Sequence, residues 1–120
     1  MLLGILTWAI CVGYVFLTLD RHWVADDEGL LAQTAERVLL GELPHRDFAD
    51  VYTGGQSYLH AAAFRIWGAS LLAPRYMLLA FVAAWVPAVF YAAMRLAAPV
   101  AAVPLTILAV AWSVPNYAAA

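Results

Sequence analysis

The sequence places three acidic residues in a row, Asp26, Asp27 and Glu28, directly after a long apolar segment. A carboxylate can accept a proton from a substrate hydroxyl, and it can also cap a helix or complement the helix dipole. Successive helical residues point about 100° apart, so these three side chains cannot converge on one ion. We therefore expect Asp26 or Asp27 to be an N-cap and another of the three to be available for chemistry.

Further polar residues that could act on a substrate follow the triplet in the sequence. Asp47 offers another carboxylate, and its neighbours His45 and Arg46 offer hydrogen-bond donors. Gln56 and His60 fall one turn apart on a predicted helix, which places them on one face.

These features also have simpler interpretations. Acids at a helix start most often serve only as caps and dipole partners, and His60 could be a solvated interfacial side chain. Tyr52, Trp67 and Tyr76 are typical of an aromatic belt at a membrane surface. The three histidines lack the short fixed spacings of zinc sites, and the single cysteine, Cys11, excludes a disulfide within the chain.

The elements that must position these residues are membrane helices, as the composition indicates. Of the 120 residues 66% are hydrophobic and 12% are charged, and the mean hydropathy is +0.82. Soluble domains are about 45–50% apolar and about 25% charged. Long uncharged runs predict transmembrane helices at 1–19, 75–95 and 99–120, the last one truncated. We therefore expect an all-α membrane protein.

Residues 20–74 form an acidic loop between the first two predicted spans, because all eight acidic residues lie between Asp20 and Asp50. Cap and breaker residues predict one helix at about 27–40 and a second at about 56–67. Each has an apolar face, and both are too short or too polar to span a bilayer. We expect them to lie along the membrane surface.

The arginines predict the orientation of the chain, which contains no lysine. Basic residues near the end of a span favour the cytoplasmic side, and Arg95 ends the second predicted span. Arg21, Arg37 and Arg46 lie in the loop and weigh against this assignment. We expect Arg95 on the cytoplasmic side of a bacterial plasma membrane and the acidic loop on the extracytoplasmic side.

The order of these features forms a longer pattern. A first span is followed by DEG, by an amphipathic helix leading into VLLGELPHRDF, and by YTGGQSYLHAAAFRIWGASLLAPRYMLLA. Over about Val24 to Leu79 this pattern resembles the N-terminal part of the polytopic type-C glycosyltransferases. Their relatives include protein O-mannosyltransferases and the lipid A aminoarabinose transferases, which use polyprenyl-phosphate sugars.

The resemblance implies an enzyme that moves a sugar from a polyprenyl-phosphate donor to an extracytoplasmic lipid, glycan or protein acceptor. Asp27 and Glu28 match the family's catalytic pair, and Asp47 matches its second acid. The expected partners are the donor, the acceptor and membrane lipids, without nucleic acid. No resident cofactor is expected, and a divalent cation is left open. The expected substrate-binding residues are His45, Arg46, Tyr52, Gln56 and His60, of which His45 and Arg46 would offer donors or positive charge to the leaving phosphate.

Some features leave alternatives open. Many relatives have proline-rich sequence before the second surface helix, where this chain has Gly54 and Gly55. Type-C enzymes have many more spans, so we expect this sequence to be an N-terminal fragment.

A transporter is disfavoured because the two clearest spans contain neither an acidic residue nor a histidine. The remaining alternative is a small non-catalytic integral membrane protein whose acidic loop binds a partner or a cation.

Overall fold

A computed structural model describes residues 1–21 and 25–113 and folds them into five helices. They are α1 (Leu2–Thr18), α2 (Ala25–Leu39), α3 (Gly55–Trp67), α4 (Leu72–Leu96) and α5 (Pro99–Ser113). No strand is found in this part of the chain, so the all-α prediction is confirmed. The helices belong to two compact units. The first contains α1, α5 and α4 from Leu78 onward, and the second contains α2, α3 and α4 up to Met77.

One helix, α4, is long and apolar enough to cross a membrane, with 25 residues and a mean hydropathy of 2.0 over its most apolar stretch. A bilayer core of about 30 Å requires about 20 residues at 1.5 Å per residue. Over the described ranges, α1 has 17 residues and α5 has 15, so both fall short. The prediction of three spans is therefore not supported. The end of the predicted 99–120 span lies outside the described residues.

In the first unit, each of the three helices buries one stripe of side chains at four-residue spacing, as expected for a single packed helix face. The stripes consist mainly of small and β-branched residues, which allow close approach of the helices. They are Thr7, Cys11 and Val15 on α1; Val82, Val86 and Phe90 on α4; and Ala102, Thr106 and Val110 on α5.

A proline inside α4 explains an unusual tryptophan contact in the same unit. Pro87 has no N–H, so the carbonyl of Ala83, four residues earlier, loses its normal helical donor. The indole Nε1–H of Trp8 on α1 donates to this carbonyl oxygen at 2.8 Å. The side chain of α1 thereby replaces the hydrogen bond that the proline removes from α4.

In the second unit, α2 and α3 pack against each other through small residues. Ala35 on α2 and Ala63 on α3 are fully buried, and Phe64 fills the space beside them. Val38 and Leu39 add to this apolar cluster. The apolar face of α2, which we expected to lie on the membrane surface, is therefore occupied by α3.

The predicted helix boundaries need one correction that affects the acidic triplet. The second surface helix was expected at about 56–67 and is observed at Gly55–Trp67. The first was expected at about 27–40, but α2 begins two residues earlier, at Ala25. Asp26 and Asp27 thus lie inside the first turn, and the prediction that one of them is the N-cap is wrong. Their charges still face the positive end of the helix dipole.

The end of α2 follows the sequence signal at Gly41. This residue has φ of 90°, a conformation that glycine adopts without strain. Its N–H donates to the carbonyl of Val38, and the N–H of Glu42 donates to that of Arg37. This is a Schellman motif, and it turns the chain into the segment that leads to α3.

Candidate functional site

The acidic triplet divides into an exposed pair and a bound third member. Asp26 and Asp27 are exposed in the first turn of α2. Neither carboxylate has a hydrogen bond or an ion pair with another residue that the structure describes. A carboxylate at a helix N-terminus interacts favourably with the helix dipole. It is thus available to accept a proton or a cationic partner.

Glu28, by contrast, is engaged by Arg75 from the first turn of α4. The guanidinium Nε donates to Oε2 at 3.1 Å, and Nη2 donates to Oε1. The Glu28 side chain is 20% exposed and that of Arg75 is 14% exposed. A carboxylate held by a bidentate arginine is a poor proton acceptor, because protonation would break this pair. Glu28 therefore supports the site rather than supplying its base.

Asp47, the other predicted catalytic acid, stabilises a tight turn. Its Oδ2 accepts the N–H of Leu43 at 2.8 Å, and both of its oxygens accept donors from Arg46. The Arg46 guanidinium, together with the Leu43 N–H, lowers the pKa of Asp47 to about 2. Asp47 is thus ionised at neutral pH. The guanidinium of Arg46, which we expected to bind a phosphate, is bound to this carboxylate instead.

The same turn is fastened to the C-terminal half of α2 by Arg37. Its guanidinium pairs with Glu42, donates to the backbone carbonyl of Asp47 at 3.2 Å and lies 4.5 Å from the centroid of the Phe48 ring. Arg37 was considered above only for the orientation of the chain, and the structure gives it a part in holding this turn. Phe48, which it covers, is buried.

The structure does not bring Asp47 and Asp27 together. Asp47 lies beside Arg37, which is ten residues from Asp27 along α2. At 1.5 Å per residue this separation is about 15 Å along the helix axis. Two groups that act on one reacting atom must both lie within about 3 Å of it. The two acids therefore do not form a catalytic pair in this arrangement.

Sequence reasoning did not single out Asp50, a carboxylate in the segment before α3 whose two oxygens both accept hydrogen bonds. Its Oδ1 accepts the Tyr52 N–H at 3.0 Å, and its Oδ2 accepts the Ser57 hydroxyl at 2.6 Å. Ser57 Oγ is also 3.1 Å from Thr34 Oγ1 on α2. A serine has one hydroxyl proton, so Ser57 cannot donate to Asp50 and to Thr34 at once; the Thr34 hydroxyl itself donates to the backbone carbonyl of Leu31 at 3.1 Å. Ser57 is 1% exposed and Thr34 is 3% exposed, so this chain of bonds is buried.

The Ser57 bond is the main cause of a lowered pKa at Asp50, and the Tyr52 N–H and the charge of His45 act in the same direction. A sequence signal for this arrangement does exist. An aspartate commonly accepts the N–H two residues later, which is the Asx turn seen at Tyr52. The long-range partner Ser57 has no such local signal.

The remaining predicted substrate-binding residues occupy different positions. His45 has φ of 64°, and Tyr52 is exposed, in the segment before α3. Gln56 and His60 are half-buried on α3. Burial lowers the pKa of His60, and its buried Nδ1 has no hydrogen-bond partner among the described residues. These residues are not assembled around Asp27 by any contact that the structure shows.

A cation site of the kind considered for the acidic loop needs several ligands in one place. In residues 1–21 and 25–113, no group of three or more His, Cys, Asp or Glu side chains could hold a metal ion. His22 lies outside these ranges.

The chain was compared with protein-family models, with curated proteins and with solved structures, and none of them matches it.

Proposed function

We propose that this chain belongs to a membrane glycosyltransferase that uses a polyprenyl-phosphate sugar, with Asp27 as the base that receives the acceptor proton. The observation that carries the proposal is the exposed, uncommitted carboxylate of Asp27 beside Glu28, which Arg75 ties to the start of the candidate span. The family resemblance of the DEG motif supports the same assignment.

The character of α4 supports a membrane location. Only 22% of its most apolar stretch is buried, whereas the core helix of a soluble domain is mostly buried, and this difference supports the proposal. Its uncharged part, residues 76–94, contains 19 residues between Arg75 and Arg95. This corresponds to about 28 Å, close to the thickness of a bilayer core.

The outer faces of the other two apolar helices support the same location. Large apolar side chains are exposed along α1 and α5, including Ile5, Ile10, Phe16, Leu105 and Leu108. Water-exposed patches of this extent are a liability, whereas lipid accommodates them without cost. The proposal therefore includes α1 and α5 within the bilayer, with the second unit on the extracytoplasmic side and Arg95 on the cytoplasmic side.

The proposed reaction is a displacement at the anomeric carbon of the donor. The acceptor oxygen forms a bond to this carbon, the bond from the carbon to the phosphate oxygen breaks, and polyprenyl phosphate leaves with the bonding electrons. Asp27 takes the proton of the acceptor hydroxyl. A carboxylate is a far weaker base than an alkoxide and cannot deprotonate an alcohol in advance, so the proton moves late, as the new bond forms. Positioning of the acceptor supplies most of the rate.

Transfer can be measured with the full-length gene product in nanodiscs. The probes are undecaprenyl-phosphate mannose and undecaprenyl-phosphate aminoarabinose, each labelled in the sugar, with an extract of bacterial envelope lipids and glycans as acceptor. We expect release of undecaprenyl phosphate together with labelled product from one of the two donors. Absence of both products with both donors would refute the proposal for these sugars.

A further inference from the structure

The first turn of α2, which carries Asp27, is joined to the first turn of α4 by the ion pair between Glu28 and Arg75. The pair is bidentate, because two guanidinium nitrogens donate to two different carboxylate oxygens. Such a pair fixes direction as well as distance, since the donors of an arginine lie in one plane. It therefore restricts rotation of the turn that presents Asp27.

The environment of this pair differs from that of the other arginine pairs nearby. The side chains of Arg75 and Glu28 are 14% and 20% exposed, whereas those of Arg46 and Asp47 are 67% and 32% exposed. Water and salt screen the first pair less. Removal of either partner takes this bidentate contact from a mostly buried charge, which favours a rearrangement of the local backbone.

Apolar packing holds a different part of α2. The cluster shared with α3 includes Ala32, Ala35, Val38 and Leu39, all of which follow Glu28 by one turn or more. The middle and the C-terminal end of α2 are thus fixed by packing, while its first turn is tied by the ion pair. Loss of the pair should loosen that turn and leave the rest of the helix in place.

We propose that Arg75 is a positioning residue for Asp27 and acts through Glu28. This inference rests on the proposed function, in which Asp27 receives the acceptor proton. Arg75 lies in the first turn of the candidate span, so the pair also holds Asp27 at the bilayer surface. The phosphate of a polyprenyl-linked donor lies at that level. Arg75 thus sets both the direction in which the Asp27 carboxylate points and its depth relative to the bilayer.

The test uses steady-state transfer in nanodiscs with the two labelled donors named above. Arg75→Gln and Glu28→Gln should each lower kcat by about 10- to 100-fold and leave the donor KM within about twofold, because orientation and not binding is lost. Arg75→Lys keeps the charge but not the planar pair of donors, so its kcat should be intermediate. The matched control is Arg65→Gln, an exposed arginine on α3, which should transfer at the parental rate.

Hydrogen exchange supplies a readout that does not depend on activity. In Arg75→Gln, amides 29–31, which are the first to donate to carbonyls within α2, should exchange faster, while amides 32–39 keep their protection. Parental activity in Arg75→Gln would overturn the positioning role, and so would unchanged exchange at 29–31. If the parental protein transfers sugar from neither donor, the proposed function fails, and exchange alone then decides whether Arg75 holds the turn.

Discussion

At the scale of single residues, the second unit separates acids that stabilise the fold from acids that have no partner among the described residues. Asp47 and Asp50 each accept hydrogen bonds on both oxygens, and Glu28 is paired with Arg75. Asp27 has no such commitment among the described residues. A proton acceptor must be reachable by its substrate, and Asp26 is as exposed and unbound as Asp27. Bonding to donors therefore separates Asp27 from Asp47, Asp50 and Glu28, and the resemblance at the DEG motif favours it over Asp26.

The hydrogen bond from Ser57 to Asp50 predicts a pH-dependent contribution to stability. Ser57→Ala should lower the free energy of unfolding by about 1–2 kcal/mol at pH 7, because a hydrogen bond to a charged acceptor is lost. The pKa of Asp50 is lowered in the folded state from 3.8. This stability is thus present above pH 3.8 and is lost as the pH falls through the folded pKa. Denaturant unfolding in detergent micelles at several pH values measures it.

The control for this prediction is Asp50→Asn, in which the charge is absent at every pH. In that background, the cost of Ser57→Ala should no longer depend on pH. A cost in the parental protein that stays constant from pH 7 to pH 3 would show that the bond to Asp50 does not contribute as proposed.

At the scale of helices, the sequence predicts that a helix forms better than it predicts where the helix begins and ends or what it packs against. The α3 helix and the end of α2 at Gly41 follow from local signals, since breaker residues act on their own neighbours. The apolar face of α2 was also predicted, but not that it packs on α3 instead of lying on lipid, because one apolar face suits either partner. The Glu28–Arg75 and Ser57–Asp50 contacts join residues that are distant in sequence or separated by a loop. The hydrophobic periodicity of the sequence carries no information about such contacts.

The contact between Trp8 and Ala83 predicts an energetic coupling between two helices. Trp8→Phe removes the donor that satisfies the Ala83 carbonyl and should cost about 1–2 kcal/mol of unfolding free energy. Pro87→Ala restores a backbone N–H at position 87, which can donate to the same carbonyl. Trp8→Phe should then cost about 1 kcal/mol less in the Pro87→Ala background. A double-mutant cycle of unfolding free energies in micelles measures the difference.

An equal cost of Trp8→Phe in the two backgrounds would contradict the coupling. It would mean that the effect of this substitution comes from lost packing alone, and that the carbonyl freed by Pro87 has no part in joining α1 to α4.

At the scale of the whole molecule, the two units differ in their apolar and acidic content. The first unit exposes large apolar side chains along α1 and α5, and the second carries the carboxylates of α2 and of the segment before α3. In the proposed arrangement, α4 crosses the bilayer and the second unit is extracytoplasmic. The sequence predicts the apolar runs and the acidic segment between them, whereas the number of helices that qualify as spans depends on their observed lengths.

The proposed orientation can be tested by cysteine labelling in spheroplasts with a membrane-impermeant reagent. Thr53→Cys, on the exposed segment before α3, should be labelled in intact spheroplasts. Ala98→Cys, at the exposed connection after Arg95, should be labelled only after permeabilisation. The parental protein is the background control, because its Cys11 is buried. The reverse pattern for the two variants would place the acidic segment in the cytoplasm.

The most direct test of the central claim compares two neighbouring aspartates in the full-length protein. Asp27→Asn should reduce sugar transfer by about 10²- to 10⁴-fold, the usual effect of losing a general base, while donor binding and membrane insertion stay nearly parental. Asp26→Asn removes the same charge from the same turn and should retain transfer. A purely structural role in the helix dipole would predict small and similar effects for both variants. Transfer at the parental rate by Asp27→Asn would contradict the account.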